Sequence, residues 1–276
     1  MYMIGIKNRN NNCFISSALQ ILLNLDCLEN LPGDDQLGGY LYFYLDLVRN
    51  YRSRSNNDVS LDLGRFYDFL VDEGMVKRNQ QGDCHEFLLL FIDRVSRSMR
   101  AKYHNTVKVK AHGCVTLEDF FEGTIQKIVV CKKKKKKNIS RERFSSLPLE
   151  QSIESSLEMF CQATHIDGYQ CESCYLDTGA TIYIKITRMP VVLSFHVNVK
   201  QPRTIRLSTL YKINTDNYSL YATVHHQGTH QGGHYYCRII KNGIIYDIND
   251  QHVIKAPLSS EHMLCASDIV SIFYVK

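Results

Sequence analysis

The apolar positions of the first hundred residues recur at helical spacing. Phe14, Ala18 and Leu22 repeat every fourth residue, with Ile15, Leu19 and Leu23 beside them, which predicts a helix starting at about residue 13. A loop carrying Pro32-Gly33 and Gly38-Gly39 follows. A second stripe is Leu41, Tyr44, Leu45 and Val48, and a short third is Phe66, Phe69 and Leu70, ended by Gly74. The fourth is the clearest. Asp83 can cap it, Glu86 follows at capping-box spacing, and Phe87, Phe91, Val95 and Met99 form a stripe that reads as core packing. Residues 13–110 are thus mainly helical by pattern.

From about residue 115 the pattern becomes strand-like. Thr124–Val130 is rich in β-formers, and Leu149, Ile153, Leu157 and Phe160 predict one more helix. Thr181–Ile186 and Val191–Val197 read as strands separated by Met189-Pro190. Tyr218–His226 alternates in part, His234–Ile240 is a strand, and Asn242-Gly243 is a hairpin turn. Asp268–Val275 would close the sheet. Helices come first and strands after, with no internal repeat, so the class is α+β.

Composition narrows the setting. Hydrophobic content of 44% and charged content of 22% are those of a globular protein, and 276 residues are within reach of one large domain. No apolar run has the length of a membrane span, so no membrane is expected. The first block of interest starts at Gly5, which leaves almost no room for a signal peptide. Ten scattered cysteines without a disulfide framework predict a reducing compartment, cytoplasmic or nuclear. The net charge is +5, and six lysines form one block, Lys132–Lys137. Without it the chain would be close to neutral. The block has no interleaved aromatics and reads as a solvated hairpin, so nucleic-acid binding is not expected.

The candidate chemistry begins with Gly5-Ile-Lys-Asn8-Arg-Asn-Asn-Asn-Cys13, a small polar run feeding the first helix. A thiol in a helix's first turn sits among unpaired N–H groups at the positive end of the dipole, where thiolate is favoured. Taken alone, Cys13 reads equally well as an ordinary buried cysteine. Far downstream come Gly232-Gly-His234-Tyr-Tyr236 and Ile244-Ile-Tyr-Asp-Ile-Asn249-Asp250-Gln-His-Val253. Cysteine, then histidine, then Asn or Asp is the chain order of papain-like thiol proteases.

Here the resemblance becomes specific. Residues 5–20 resemble the Cys box of the ubiquitin-specific proteases, and residues 218–253 resemble their His box. Gln80-Gln-Gly-Asp83-Cys-His-Glu-Phe-Leu88 is similar to the family's Gln-Asp-Ala-His-Glu-Phe-Leu segment. The blocks stand in the right order across almost the whole chain. The resemblance implies a papain-like catalytic domain over 1–276, with a helical thumb (about 1–115), fingers (about 120–190) and a β-rich palm (about 191–276).

It also implies roles. Cys13 is the nucleophile and His234 the base, with His225, His226 and His230 as nearby competitors. Asn249 orients the base by accepting from the ring Nδ1–H; Asp250 is the fallback, and Asp247 is close enough for a slip of register. Asn8, otherwise a turn residue, donates to the oxyanion. Asp83 holds the ubiquitin tail or caps its helix, or both. Gly233 leaves room for a Gly-Gly tail and Tyr235 walls the passage. The usual Gly-Asn-Thr before the nucleophile is here Asn10-Asn11-Asn12, and Asn tolerates the left-handed turn that Gly would take. The family's fingers carry two Cys-x-x-Cys zinc pairs. Cys171 and Cys174 supply one, but after Cys131 position 134 is Lys. Cys131, Cys171 and Cys174 do not close a tetrahedral zinc site, and neither Cys161 nor His165 has the expected spacing. No cofactor is required, and zinc stays open as an alternative at this incomplete site, with Cys161 or His165 as the fourth ligand.

The function so implied is a thiol isopeptidase cleaving after the terminal Gly of ubiquitin, with ubiquitin and ubiquitinated proteins as partners. The alternatives are a ubiquitin-binding pseudoenzyme of the same fold and a protease for another ubiquitin-like modifier. A nucleic-acid binder rests on the lysine block alone.

Overall fold

The structure, a computed structural model, describes residues 3–9, 11–25, 39–54, 60–103, 120–172, 175, 179–197, 205–213, 216–229, 232–259 and 265–276. In chain order the elements are β1 (Gly5–Ile6), α1 (Cys13–Leu23), α2 (Gly39–Arg52), β2 (Ser60–Leu61), α3 (Gly64–Asp72) and α4 (Cys84–Tyr103). Next come β3 (Gly123–Cys131), β4 (Lys137–Phe144), β5 (Leu147–Leu149), α5 (Ile153–Cys161), β6 (Thr164–Ile166), β7 (Ala180–Arg188) and β8 (Val192–Val197). The rest are strands: β9 (Ile205–Arg206), β10 (Leu210–Ile213), β11 (Asp216–Thr229), β12 (Gly232–Lys241), β13 (Ile244–Asn249), β14 (His252–Pro257), β15 (Cys265–Ala266) and β16 (Ile269–Val275). Two compact units result, Met1–Glu118 with Val199–Lys276, and Asp119–Asn198.

In the first unit α1 is the core. All eleven of its residues are buried, as expected for a helix that neighbours cover on every side. It packs against α4 on one side and against β11 and β12 on another. Phe91 of α4 is an aromatic hub, 5.7 Å from Phe87, 5.6 Å from Phe66 and 5.8 Å from Tyr44. Phe87 in turn meets Phe14 edge-on at 5.8 Å, which fixes the turn of α1 that carries Cys13. At the other end of the helix the Tyr221 hydroxyl donates to the Ile21 carbonyl (2.8 Å), and Gln20 Nε2 donates to the Ile4 carbonyl (2.8 Å).

The sheet of this unit runs β14-β13-β12-β11-β16, antiparallel throughout, and β10 pairs with the start of β11. Asn242 and Gly243 both take positive φ (53° and 72°), the left-handed pair that the β12–β13 hairpin needs. β1 pairs parallel with β2, and Ile6 N–H donates to the Asp250 carbonyl at 2.8 Å. A Cβ on Gly5 would stand 2.4 Å from that carbonyl oxygen, so only glycine lets the loop before Cys13 lie against the turn after β13.

The second unit has an antiparallel sheet β4-β3-β7-β6, the parallel pair β5–β8, and α5 packed on β5 and β7. Two expectations change here. Leu149 is not helical: it ends β5, and α5 starts at Ile153 behind a capping box in which Ser152 and Ser155 exchange bonds. The strand β4 was not expected. Seven of its eight residues are exposed, so no apolar alternation marks it. Lys132–Lys136 form the β3–β4 turn and Lys137 opens β4, all exposed. Cys131 and Cys171 are both buried, His165 Nδ1 lies 2.9 Å from Thr181 Oγ1, and Cys174 is outside the described residues. Among the described residues no three His, Cys, Asp or Glu side chains are grouped to hold a metal ion.

Candidate active site

Cys13 is the first residue of α1, and no side chain caps that helix. Asn12 occupies the capping position but turns its side chain away. Its Oδ1 accepts from Arg9 N–H (3.2 Å), and its Nδ2 donates to the Lys7 carbonyl (3.4 Å). The left-handed residue of the loop is Asn11, with φ 56°; Asn10 lies outside the described residues. First-turn N–H groups without a side-chain cap leave the positive end of the helix dipole open beside the thiol. Among the described side chains of the same unit, Cys84 and Cys237 are the competing thiols. Burial pushes both well above the ordinary thiol value, which makes them inert.

His234 lies near the start of β12. Its Nε2 is 2.7 Å from Asn249 Oδ1. An amide oxygen only accepts, so Nε2 carries the hydrogen and Nδ1 keeps a lone pair for a thiol proton. This corrects the expectation that Asn249 would meet Nδ1. Asp250 comes next in rank, with Oδ2 at 3.7 Å from His234 Nε2. Asp247 is committed elsewhere, accepting from Arg238 Nε at 2.8 Å.

Asp250 has φ 52° and bends the chain sharply after β13. Its Oδ2 accepts from Asn8 Nδ2 (3.0 Å), while its Oδ1 is buried without a hydrogen-bond partner among the described residues. Burial pushes this carboxyl up, and the Asn8 amide works against that. Asn8 is tied twice, since its Oδ1 also accepts from Asn12 N–H at 3.1 Å. One amide hydrogen of Asn8 remains for an oxyanion.

The chain is crowded around Gly233. A Cβ on Gly233 would come within 2.4 Å of His226 Nε2 and 2.6 Å of the Gln227 carbonyl oxygen. Tyr235 lies against His226 with the rings tilted by 40° and their centroids 4.4 Å apart, and its hydroxyl donates to Asp83 Oδ2 at 3.4 Å. Burial, with the Asp83 carboxylate, pushes that hydroxyl up. The other oxygen of Asp83 caps α4 through Glu86 N–H at 2.8 Å. Asp83 therefore caps its helix and holds Tyr235 at once.

Two groups escaped the sequence reading. Gln81 reaches both Cys13 and Gly233; it stands in the block that resembles the family's Gln-Asp-Ala-His-Glu-Phe-Leu segment, but only Asp83 of that block is given a role from the sequence. The second is a buried network behind His234. His225 is fully buried, its Nδ1–H donates to Asp268 Oδ1 (2.9 Å), and the Thr223 hydroxyl donates to its Nε2 (2.8 Å). Tyr236 and Gln227 also donate to Asp268, at 2.8 and 3.3 Å. The order Thr-His-Asp imitates a catalytic triad, but Thr223 sits within β11, paired with Arg238 of β12 on one side and Ile272 of β16 on the other, in the middle of the sheet. His225 is thus a structural histidine that ties β11 to the residues before β16. His230 lies outside the described residues.

Burial lowers the His225 value despite the pull of Asp268, and burial lowers His226 as well. The unfolded chain therefore binds these protons more readily. Their stabilisation is complete above the ordinary histidine value of about 6.5 and is lost as pH falls below it. For Asp268, burial alone would raise the value, but its bonds from His225, Tyr236 and Gln227 hold it well below the usual carboxylate range. Its stabilisation is lost only at much lower pH. Thermal melts between pH 7.5 and 5 should show a falling midpoint, with a shallower slope in His225→Gln. An unchanged slope in the variant would remove His225 as the cause.

Comparisons with known proteins bear on the family and the fold. Among curated relatives, Usp2 of Drosophila melanogaster, a ubiquitin carboxyl-terminal hydrolase, is 23% identical over 332 residues, covering 99% of this chain and 35% of the relative. Ubiquitin carboxyl-terminal hydrolase 26 of Arabidopsis thaliana is 25% identical over 294 residues, covering 90% of this chain and 26% of the relative. The chain thus spans about a quarter to a third of the length of these relatives. Among solved structures, the Ubp8-Sgf11-Sgf73-Sus1 SAGA DUB module matches with TM-score 0.75 and 20% identity, covering 99% of this chain and 67% of the other. The same kind of module bound to ubiquitin aldehyde matches with TM-score 0.70 and 20% identity, covering 99% and 69%. These structures show the fold, an α+β papain-like arrangement. The family model described as ubiquitin carboxyl-terminal hydrolase matches residues 4–263 of the 276, and so the chain belongs to the ubiquitin carboxyl-terminal hydrolase family.

Proposed function

We propose that this chain is a cysteine-type deubiquitinase that cleaves the bond after the C-terminal glycine of ubiquitin. The observation that carries the reading is the 2.7 Å contact of His234 Nε2 with Asn249, next to Gly233, whose backbone lies so close to His226 and Gln227 that it has no room for a Cβ. Cys13 Sγ attacks the glycine carbonyl carbon while His234 Nδ1 takes the thiol proton. The oxyanion is met by N–H groups at the start of α1 and by the remaining amide hydrogen of Asn8. His234 then gives its proton to the leaving lysine amine, and a thioester remains on Cys13. Water, activated by His234, hydrolyses it. Asn249 keeps the imidazole in the tautomer that makes Nδ1 the base.

The partners follow from the reaction: ubiquitin on one side of the bond and the modified protein on the other. Six described cysteines form no disulfide, which supports work in the cytoplasm or nucleus. Among the described residues no helix is long and apolar enough to cross a membrane.

Ubiquitin carrying a thiol-reactive group at its C-terminus tests the reading. The wild-type chain should form a one-to-one adduct at Cys13, seen by mass spectrometry. Binding without an adduct would identify a pseudoenzyme. An adduct formed only with a different ubiquitin-like modifier would reassign the substrate.

A further inference from the structure

The side-chain amide of Gln81 sits over the nucleophile. Its Oε1 accepts from the Gly233 N–H at 2.9 Å, and its Nε2 donates to the Gly233 carbonyl. The same Nε2 lies 3.5 Å from Cys13 Sγ. Cys13 is 2% exposed, so the thiol is covered.

The contact has the form of a strand pairing. On one side Gly233 pairs with Gly228 of β11. On the other side β13 joins β12 only from Cys237 onward, so at Gly233 that edge has no strand beside it. A primary amide that meets both the N–H and the C=O of one residue does what a residue of an added strand would do. Gln81 therefore fills, with a side chain, a strand slot that leads past Cys13.

We propose that Gln81 is a latch that substrate displaces, and that it is a specificity-determining residue for the reaction at Cys13; the inference rests on the deubiquitinase reading of that site. An extended peptide entering the slot offers its own C=O and N–H to Gly233 in exchange for the Gln81 amide. The bonds are replaced in kind, so a matching backbone opens the latch at little cost. A small thiol reagent makes no such exchange and must wait for the latch to open by itself. Two or three neutral hydrogen bonds keep the closed form ahead by roughly ten- to a hundredfold, and reactivity toward small reagents falls by the same factor.

The test uses the full chain and iodoacetamide at pH 7.5, with the alkylation rate of each cysteine read by mass spectrometry. Gln81→Ala should raise the rate at Cys13 about tenfold or more. Gln81→Asn, one methylene too short to span Gly233 and the thiol, should move it the same way. Cys84 and Cys237 should stay unlabelled. The ubiquitin electrophile should gain much less than iodoacetamide, because ubiquitin displaces the latch in the wild type too. An unchanged or lower Cys13 rate in the variants would overturn the latch. So would equal labelling of Cys84 and Cys237, which would mean general opening. Iodoacetamide needs only an accessible thiol. A chain that shows the iodoacetamide effect but never reacts with the ubiquitin electrophile would keep the latch and lose the deubiquitinase reading.

Discussion

Cys13→Ala should lower cleavage of a ubiquitin C-terminal amide by about 10⁴- to 10⁶-fold while leaving ubiquitin bound. The magnitude is that seen when the nucleophile of a hydrolase acting as a unit is removed, leaving only binding and the oxyanion site. Cys84 and Cys237 cannot substitute, because burial keeps both as neutral thiols; Cys84 does begin α4, but the Asp83 carboxylate caps that helix beside it, and Cys237 lies within β12. Alanine is smaller than cysteine and a good helix former, so α1 keeps its packing through Phe14 and Phe87. Binding is therefore the control. Loss of both turnover and ubiquitin binding, with the melting curve intact, would mean that Cys13 lines a binding surface instead of acting as the nucleophile. Retained turnover would move the nucleophile elsewhere.

How much of this was legible before the structure depends on where each residue draws its meaning. The pairing of His234 with Asn249 is legible because the blocks around them keep their order and local chemistry. The stripes of α1 and α4 were legible because burial on a helix face forces a period that sequence displays. The strand β4 was not, since its exposed residues Lys137 to Arg143 bury nothing that could set a period. Leu149 looked helical because one apolar residue fits either pattern, and the capping box at Ser152 that decides the boundary was overlooked.

Contacts across long stretches of chain were the least visible. Gln81 and Gly233 are 152 residues apart, as are Tyr235 and Asp83, and no local spacing announces such pairs. The choice of imidazole nitrogen was also out of reach. It depends on how the β12–β13 hairpin presents Asn249 to the ring, and that is a matter of geometry and not of residue type.

That same hairpin sets the second large effect. His234→Ala should cost nearly as much as Cys13→Ala, within a factor of about ten, because base and nucleophile act as one unit. Asn249→Ala should cost less, about 10²- to 10³-fold. It removes the 2.7 Å acceptor but leaves Asp250 Oδ2 at 3.7 Å, close enough to hold the ring in part. Asp250→Ala should cost less again, about ten- to a hundredfold, since the His234–Asn249 contact survives and the loss falls on the tie to Asn8. Removing Asn249 and Asp250 together should then approach the His234→Ala level, because no acceptor at Nε2 is left. The kcat values for cleavage of a ubiquitin C-terminal amide decide the order. If Asp250→Ala proves more damaging than Asn249→Ala, the orienting residue during turnover is the carboxylate, and the turn after β13 must shift when substrate enters. If the two losses simply multiply, each acts on a different group, with Asn249 on the imidazole and Asp250 on Asn8 alone.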